Sequence, residues 1–236
     1  MRLRPAHELL DEDHGSPAEI RQSLRELWWI NQRLGGLSSW RRLLAVWQAA
    51  QPAATRALTL LDVGAGTGEM AAAIAAELGR RGFVVRAWAL DRRQSHLGAA
   101  AAGGAPDRLV ADAQRLPFAC ASVDVVTCNL FLHHFHDAPA DPAASRLLRE
   151  MTRVARRAVL INDLERAWIP YAFIRLLSRR FSRITRHDGP RSVAQAYTAR
   201  ELGHLAAVLP GWRCQILRLW PYRLGLVLER DARHAG

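Results

Sequence analysis

The sequence predicts an α/β fold, a doubly wound and mostly parallel sheet with helices on both faces, preceded by a helical cover. Three observations predict it. Residues 58–70 read as buried strand, tight turn and helix: the apolar run Leu58 to Val63 leads into Gly64, Gly66 and Gly68, and an alanine-rich stretch follows at once. From Leu58 onward, short apolar runs alternate regularly with helical stretches, which is the pattern of a parallel sheet. Asp62, Asp91 and Asp112 stand at the carboxyl ends of the first three runs, on the edge where open α/β sheets bind their ligands.

Glycine is needed in the turn because the backbone must bend sharply and then approach a bound molecule, which a Cβ would block. The helix behind it offers unpaired N–H groups and a partial positive charge to an anionic group. A dinucleotide fingerprint would close on Gly or Ala three residues after Gly66, but Glu69 stands there, so a nicotinamide dinucleotide is the second choice.

The 236 residues suffice for one large domain, assigned to 57–236, and a helical cap over 1–56. Half the residues are hydrophobic, yet no charge-free stretch reaches the roughly 18 needed to span a bilayer. Met1 to Pro5 run into Glu8, Asp11, Glu12 and Asp13 before a signal-peptide core can form, so a cytoplasmic location is expected. Cys120, Cys128 and Cys214 are too few and too scattered for a disulfide framework or a zinc site. The net charge of +11 is carried by arginine alone. Such a surface attracts nucleic acid, an anionic membrane or an acidic carrier protein, and compositional bias accounts for it equally. No RNA-binding module is appended, so nucleic acid is not the expected partner.

In chain order, Ser16 and Glu19 form a capping box, Pro17 suits the first helical position, and Gly35 and Gly36 stop the helix after Leu34. A second helix is expected from about Ser39 to Ala50. Strand one covers 58–63, a helix 69–79, and strand two 84–90, with Asp91 at its carboxyl end. Asp91 lies about twenty residues past the glycine turn and can accept both hydroxyls of a ribose; the alternative is a cap for a helix over 92–102. Strand three is Leu109 to Ala111, and Asp112 beyond it is either a ligand acid or an ordinary turn residue. Strand four, 123–128, leads into Asn129, Leu130, Phe131, Leu132, His133 and His134. Histidine is half ionised near neutral pH and can take a proton from a hydroxyl; otherwise one ring packs and the other is solvated.

A helix over 142–155 precedes strand five, 158–162, which places Asp163 on the same crevice as the histidines, unless it pairs with Arg166 or caps the next helix. No metal is implied, because His136, Asp137 and Asp141 lie in a polar loop. Residues 165–191 alternate large apolar side chains with Arg175, Arg179, Arg180, Arg183 and Arg186. Such a segment covers an apolar substrate, lies on an anionic membrane, or packs on its own domain. Arg186 to Ser192 reads as a polar turn in which His187 contacts substrate or is held by Asp188. A capped helix over 199–208 and a closing hairpin of 212–219 and 224–229 complete the chain, with a loose tail from Arg230.

Asp62 before the Gly64, Gly66, Gly68 turn resembles motif I of the class I S-adenosylmethionine (SAM) dependent methyltransferases. Asp112 with Leu116, Pro117 and Phe118 is similar to that family's adenine-binding turn, and Asn129 to Phe135 to its motif IV in the small-molecule form, without the prolines used by enzymes that methylate base or glutamine nitrogens. The resemblance implies a Rossmann-like sheet of seven strands whose final hairpin enters antiparallel. It implies SAM held by Asp62, Gly64, Ala65, Gly66, Gly68, Asp91, Arg92, Asp112, Ala113 and Asn129. The N-terminal helices resemble the cover that small-molecule members fold over cofactor and substrate, placing Trp28, Trp29, Asn31 and Arg33 on the pocket, unless the tryptophans are core. His133 or His134 with Asp163 resembles the His and Asp pair of certain sugar and phenol O-methyltransferases. Residues 186–192 with Ile30 and Asn31 are similar to bacterial methyltransferases found beside chalcone-synthase-like (type III) polyketide synthases. The implied reaction is methylation of a hydroxyl oxygen on a small, apolar, aromatic or polyketide-like metabolite. The same cofactor site would also serve carbon methylation of a quinone-like ring, an RNA methyltransferase, or a non-catalytic SAM-binding protein.

Overall fold

The computed structural model describes residues 1–49, 57–98, 106–138 and 141–231. Ala50 at the end of the second helix, positions 99–102 of the expected helix after Asp91, and the tail 232–236 lie outside the described residues.

Helices α1 (Pro17–Arg33) and α2 (Gly36–Ala49) come first, followed by β1 (Ala57–Val63), α3 (Glu69–Arg80), β2 (Val84–Asp91), the short α4 (Gln94–Gly98), β3 (Asp107–Val110) and β4 (Val123–Asn129). A 3-10 turn over Leu132–His134 and the two-residue strands β5 (Asp137–Ala138) and β6 (Asp141–Pro142) precede α5 (Ala143–Val154) and β7 (Ala155–Leu164). Then come α6 (Trp168–Leu177), α7 (Arg183–Gln195), α8 (Ala199–Ala207), β8 (Trp212–Leu219) and β9 (Arg223–Arg230).

Seven strands form one sheet in the order β3-β2-β1-β4-β7-β9-β8. The first five run parallel; β9 pairs antiparallel with β7, and β8 with β9. From β1 the chain builds outward to β3 and then returns to the other side of β1, so a crevice opens at the carboxyl ends of β1 and β4. The expected sheet, its antiparallel hairpin and the helices ahead of it are all present.

The strands are nearly continuous apolar runs because both faces are covered. On one face Leu61, Val63, Val126, Val159 and Ile161 pack with Leu147 and Met151 of α5 and Leu202 of α8. On the other, Leu60, Val125 and Leu160 pack with Ile74 and Leu78 of α3 and with Trp40, Leu43, Leu44 and Trp47 of α2. Trp47, Leu43 and Leu44 are fully buried. Thus α2 is a layer of the sheet itself, while α1 continues outward over the crevice.

Both capping boxes form, Ser16 with Glu19 and Thr198 with Glu201. Three expectations need correction. Residues 186–192 are not a turn: they lie inside α7, with Pro190 in the helix interior. The Gly-Pro signal is local, and tertiary contacts override it: Gly189 lets α7 approach α6 so closely that a Cβ there would stand 3.1 Å from Ile174, and Ile184 packs with Leu10, Ile20 and Leu24. Residues 136–142 are not a loop throughout, because β5 and β6 pair and Asp137 accepts from the Ser145 N–H at 2.9 Å, satisfying the first turn of α5. The second helix begins at Gly36, since the left-handed Gly35 (φ +82°) alone makes the corner.

Candidate functional site

The glycine turn leaves β1 with Gly64, Gly66 and Gly68 at φ +69°, +55° and +80°, conformations that side chains on Cβ disfavour. Each glycine meets a different neighbour. A Cβ on Gly64 would stand 2.3 Å from the ring of Phe131, and one on Gly68 would press on Ala89 at 3.1 Å. Around Gly66 only Leu24 comes near, at 3.9 Å, so its backbone borders open space. Asp91 braces this turn: Oδ2 accepts the Gly66 N–H at 2.8 Å and Oδ1 accepts the Arg93 N–H at 2.9 Å.

A cavity of about 1020 Å³ lies above this edge. Of the residues expected at the cofactor, Gly64, Ala65, Gly66, Asp91, Arg92, Asp112, Ala113 and Asn129 line it. Asp62 and Gly68 do not. Gly68 serves helix packing, and Asp62 lies under the turn, where Oδ1 accepts from Thr127 Oγ1 at 2.7 Å and Oδ2 has no partner. Burial, aided by Asp91 and opposed by the Thr127 hydroxyl, pushes the Asp62 carboxyl up to about 7. The Asn129 amide is also engaged, accepting from Trp40 Nε1 and Asn162 Nδ2, each at 2.9 Å.

At the end of β4, Leu130 takes a left-handed φ of +50°, uncommon for a leucine, and its N–H donates to Asn162 O at 2.9 Å. This bend starts the 3-10 turn that presents both histidines. Because β4 and β7 are neighbours in register, with Asn129 opposite Asn162, Asp163 reaches the turn: it accepts from His133 Nδ1 at 2.6 Å and from the His133 N–H at 3.0 Å. The other side of the His133 ring faces Glu8, with Nε2 to Oε1 at 3.7 Å. Burial opposes a charge on this ring, but Asp163 and Glu8 together overcome it and raise the His133 pKa to about 10. His134 stacks on His133 with centroids 4.2 Å apart, and its Nδ1 pairs with Asp11 at 2.7 Å.

Glu8 and Asp11 were not singled out as site residues by the sequence. Both belong to the stretch before α1, and only the fold brings them against β4. Glu8 Oε1 also accepts from Ser192 Oγ and Gln195 Nε2, each at 2.7 Å. The ligand atoms of Glu8, His133 and His134 lie within 4.8 Å of one another. These groups already bind Asp163, Asp11, Ser192 and Gln195, so the donor set is a closed ion-pair network.

The substrate residues divide. Arg33 lines the cavity, as do Trp28 and Asn31. Trp29 does not; it is 42% exposed and meets Phe181 edge-on at 5.7 Å. His187 does not either, since in α7 it turns to Asp188, with Nδ1 to Oδ1 at 2.6 Å. Neighbouring positions on α7, Gly189, Ser192 and Val193, line the cavity instead, because a helix carries successive side chains to different faces. Ile169, Phe173 and Ile174 of α6 add an apolar wall, and Tyr222 and Arg223 close the β9 end.

The donors present suit SAM: a glycine backbone open to the cavity, the carboxylates Asp91 and Asp112 spread along the β2 and β3 edge, and apolar walls between. Comparisons agree with this geometry. The family model described as a methyltransferase domain matches residues 61–161. An uncharacterized methyltransferase of Mycobacterium sp. (strain JLS) is 41% identical over 112 residues, 47% of this chain, and the match spans 40% of that protein's length. Among solved structures, the plantazolicin methyltransferase BpumL, in complex with a pentazolic desmethylPZN analog and SAH, superposes with a TM-score of 0.64 at 13% identity, over 94% of this chain and 97% of that one. A SAM-dependent methyltransferase from Aquifex aeolicus gives 0.60 at 16%, over 92% and 99%. The magnesium protoporphyrin IX methyltransferase of Synechocystis PCC 6803 with bound SAH gives 0.54 at 18%, over 83% and 82%. The structural likenesses establish the fold, and residues 61–161 are similar to a methyltransferase domain, in line with the S-adenosylmethionine-dependent family that the glycine turn and its acids resemble.

Proposed function

We propose that this domain methylates a hydroxyl oxygen of a small aromatic or polyketide-like metabolite, with residues 1–56 acting as the cover of the site. Bound SAM supplies a methyl group already activated on a sulfonium. The protein then has two tasks, alignment and removal of the hydroxyl proton, since a phenol has a pKa near 10.

The observation that carries the reading is the His134–Asp11 pair at the cavity wall. With Nδ1–H given to Asp11, the ring keeps a lone pair on Nε2, which accepts the substrate proton as the oxygen attacks; Asp11 then stabilises the imidazolium. His133 suits a different task. Held between Asp163 and Glu8 it is an imidazolium at neutral pH, without a lone pair to offer, and its ring supports that of His134. His133 and Asp163 are therefore positioning residues here.

A second reading, carbon methylation of a lipophilic ring delivered at a membrane surface, is favoured by α6. None of its residues is buried, and Trp168, Ile169, Phe173 and Leu176 are more than half exposed beside Arg175 and Arg179. No described helix is long and apolar enough to cross a membrane.

Incubation with SAM and a panel of phenols, followed by product mass and the position of the new methyl, separates oxygen from carbon transfer. His134→Ala and Asp11→Asn are each expected to lower kcat by roughly 10²- to 10⁴-fold while SAH affinity stays unchanged. Turnover within about threefold of wild type in both variants would remove the base from the mechanism.

A further inference from the structure

Arg223 takes no part in the proton transfer above, yet it is a cation buried at the cavity. It begins β9, is 2% exposed and lines the wall. Its contacts are few and neutral: Nε donates to Leu34 O at 3.3 Å and Nη2 to Asn31 Oδ1 at 3.4 Å, both long, while Nη1 is buried without a hydrogen-bond partner. Among the described residues it forms no ion pair. Asp163 feels its charge from beyond pairing distance but is committed to His133 and to two backbone N–H groups. Burial pushes the guanidinium down only to about 10, so it stays charged at neutral pH. A buried charge without a counter-charge is among the costliest features a fold can hold, and proteins keep one where a ligand completes it.

Its place in the sheet says which ligand. Asp91 and Asp112 mark the cofactor side, on β2 and beyond β3. Arg223 pairs with Leu164 at the far end of β7, two strands beyond β4, which is about 10 Å along the sheet in the opposite direction. Arg33, from the last turn of α1, lines the same cavity and adds a second guanidinium.

Resting on the methyltransferase reading, we propose that the substrate carries a carboxylate and that Arg223 binds it at the β9 end of the cavity. A carboxylate supplies two coplanar oxygens that match the fork of a guanidinium, and Arg223 lines the cavity with no carboxylate paired to it among the described residues. The hydroxyl to be methylated and the anion then lie at separate points of one small aromatic acid, which the arginine orients.

The test uses the full chain saturated with SAH, titrated calorimetrically with 4-hydroxybenzoate, salicylate and 4-hydroxycinnamate and with their methyl esters. At least one acid is expected to bind about tenfold or more tighter than its ester, a preference that Arg223→Gln abolishes while SAH affinity is kept. Arg223→Lys, which keeps the charge and loses the fork, should retain part of it, and carries the comparison if the glutamine variant does not fold. The proposal is overturned if no acid outbinds its ester, or if Arg223→Gln leaves the preference intact. It is overturned too if a folded Arg223→Gln instead loses SAH affinity tenfold or more, which would give the guanidinium to the carboxylate of the cofactor. Failure of the wild-type chain to bind SAH at all would strike the methyltransferase reading itself, a separate result.

Discussion

Replacing Asp163 by alanine strips the buried centre of the site of one charge, and the cost follows from the geometry. The carboxylate is 4% exposed and accepts three hydrogen bonds, from His133 Nδ1 at 2.6 Å, the His133 N–H at 3.0 Å and the Leu164 N–H at 2.7 Å. Without it the carboxylate left paired with the imidazolium is Glu8, at the longer distance of 3.7 Å. Breaking a buried pair by removing one partner costs about 3–5 kcal/mol. The direction agrees with the His133 pKa, which rises to about 10 against the opposing effect of burial, with Asp163 the largest favourable cause of the rise. For a chain of this length each kcal/mol moves the melting temperature by about 2–4 °C, so a fall of about 6–20 °C is expected at pH 7.

The pH dependence has a definite sign. A folded pKa above the unfolded one gives stability that is fully present below pH 6.5 and is lost as pH rises through about 10. Asp163, held below its ordinary range by the His133 charge against the opposing effect of burial, loses its contribution as the medium turns acid. The gap between wild type and Asp163→Ala should therefore narrow between pH 7 and 10. Calorimetric or circular-dichroism melts across that range measure it. A destabilisation under about 1 kcal/mol at pH 7, or a gap that stays constant to pH 10, would refute the ion-pair account.

Gly64→Ala should cost about 2 kcal/mol or more in urea unfolding, because alanine must adopt φ +69° and its Cβ would displace the Phe131 ring; a loss of under about 0.5 kcal/mol would mean that the turn relaxes freely. Asp62, with its carboxyl raised to about 7 by burial, favours the folded state most while protonated, so its contribution is lost as pH climbs from about 4 through 7. Asp62→Asn should flatten that part of the wild-type stability profile, and an unchanged slope in denaturant midpoints between pH 5 and 8 would contradict the burial argument.

The parts of the fold that sequence alone discloses are those specified by neighbours along the chain. The run Leu58 to Val63 and the glycines after it fix a strand and a turn locally, and the capping boxes at Ser16 and Thr198 fix helix starts to the residue. His133 and Asp163 were also legible, because strand order makes β4 and β7 neighbours and their carboxyl ends coincide. What escaped was set by tertiary contact. Glu8 and Asp11 lie in a stretch without periodicity, and only docking brings them to the histidines. The Gly189-Pro190 pair has the chemistry of a turn but sits in a helix, since packing on α6 and α1 decides there. Arg223, expected only as the end of the connection between the last two strands, became notable because no carboxylate pairs with it among the described residues, which no pattern of residue types reveals.

The segment before α1 explains why the histidine pair needs more than the sheet. Leu9 and Leu10 donate their N–H groups to Asp188 of α7, each at 3.0 Å, while Arg93, beside α4, donates to Asp11 O at 2.8 and 2.6 Å. One short stretch is thus tied to α7 at Leu9 and Leu10 and to Arg93 at Asp11, and it holds Glu8 and Asp11 against His133 and His134. The sheet supplies only Asp163. The segment therefore supplies His133 with its second carboxylate and the proposed base His134 with the carboxylate that fixes its tautomer, so the histidine pair is complete only with these residues in place.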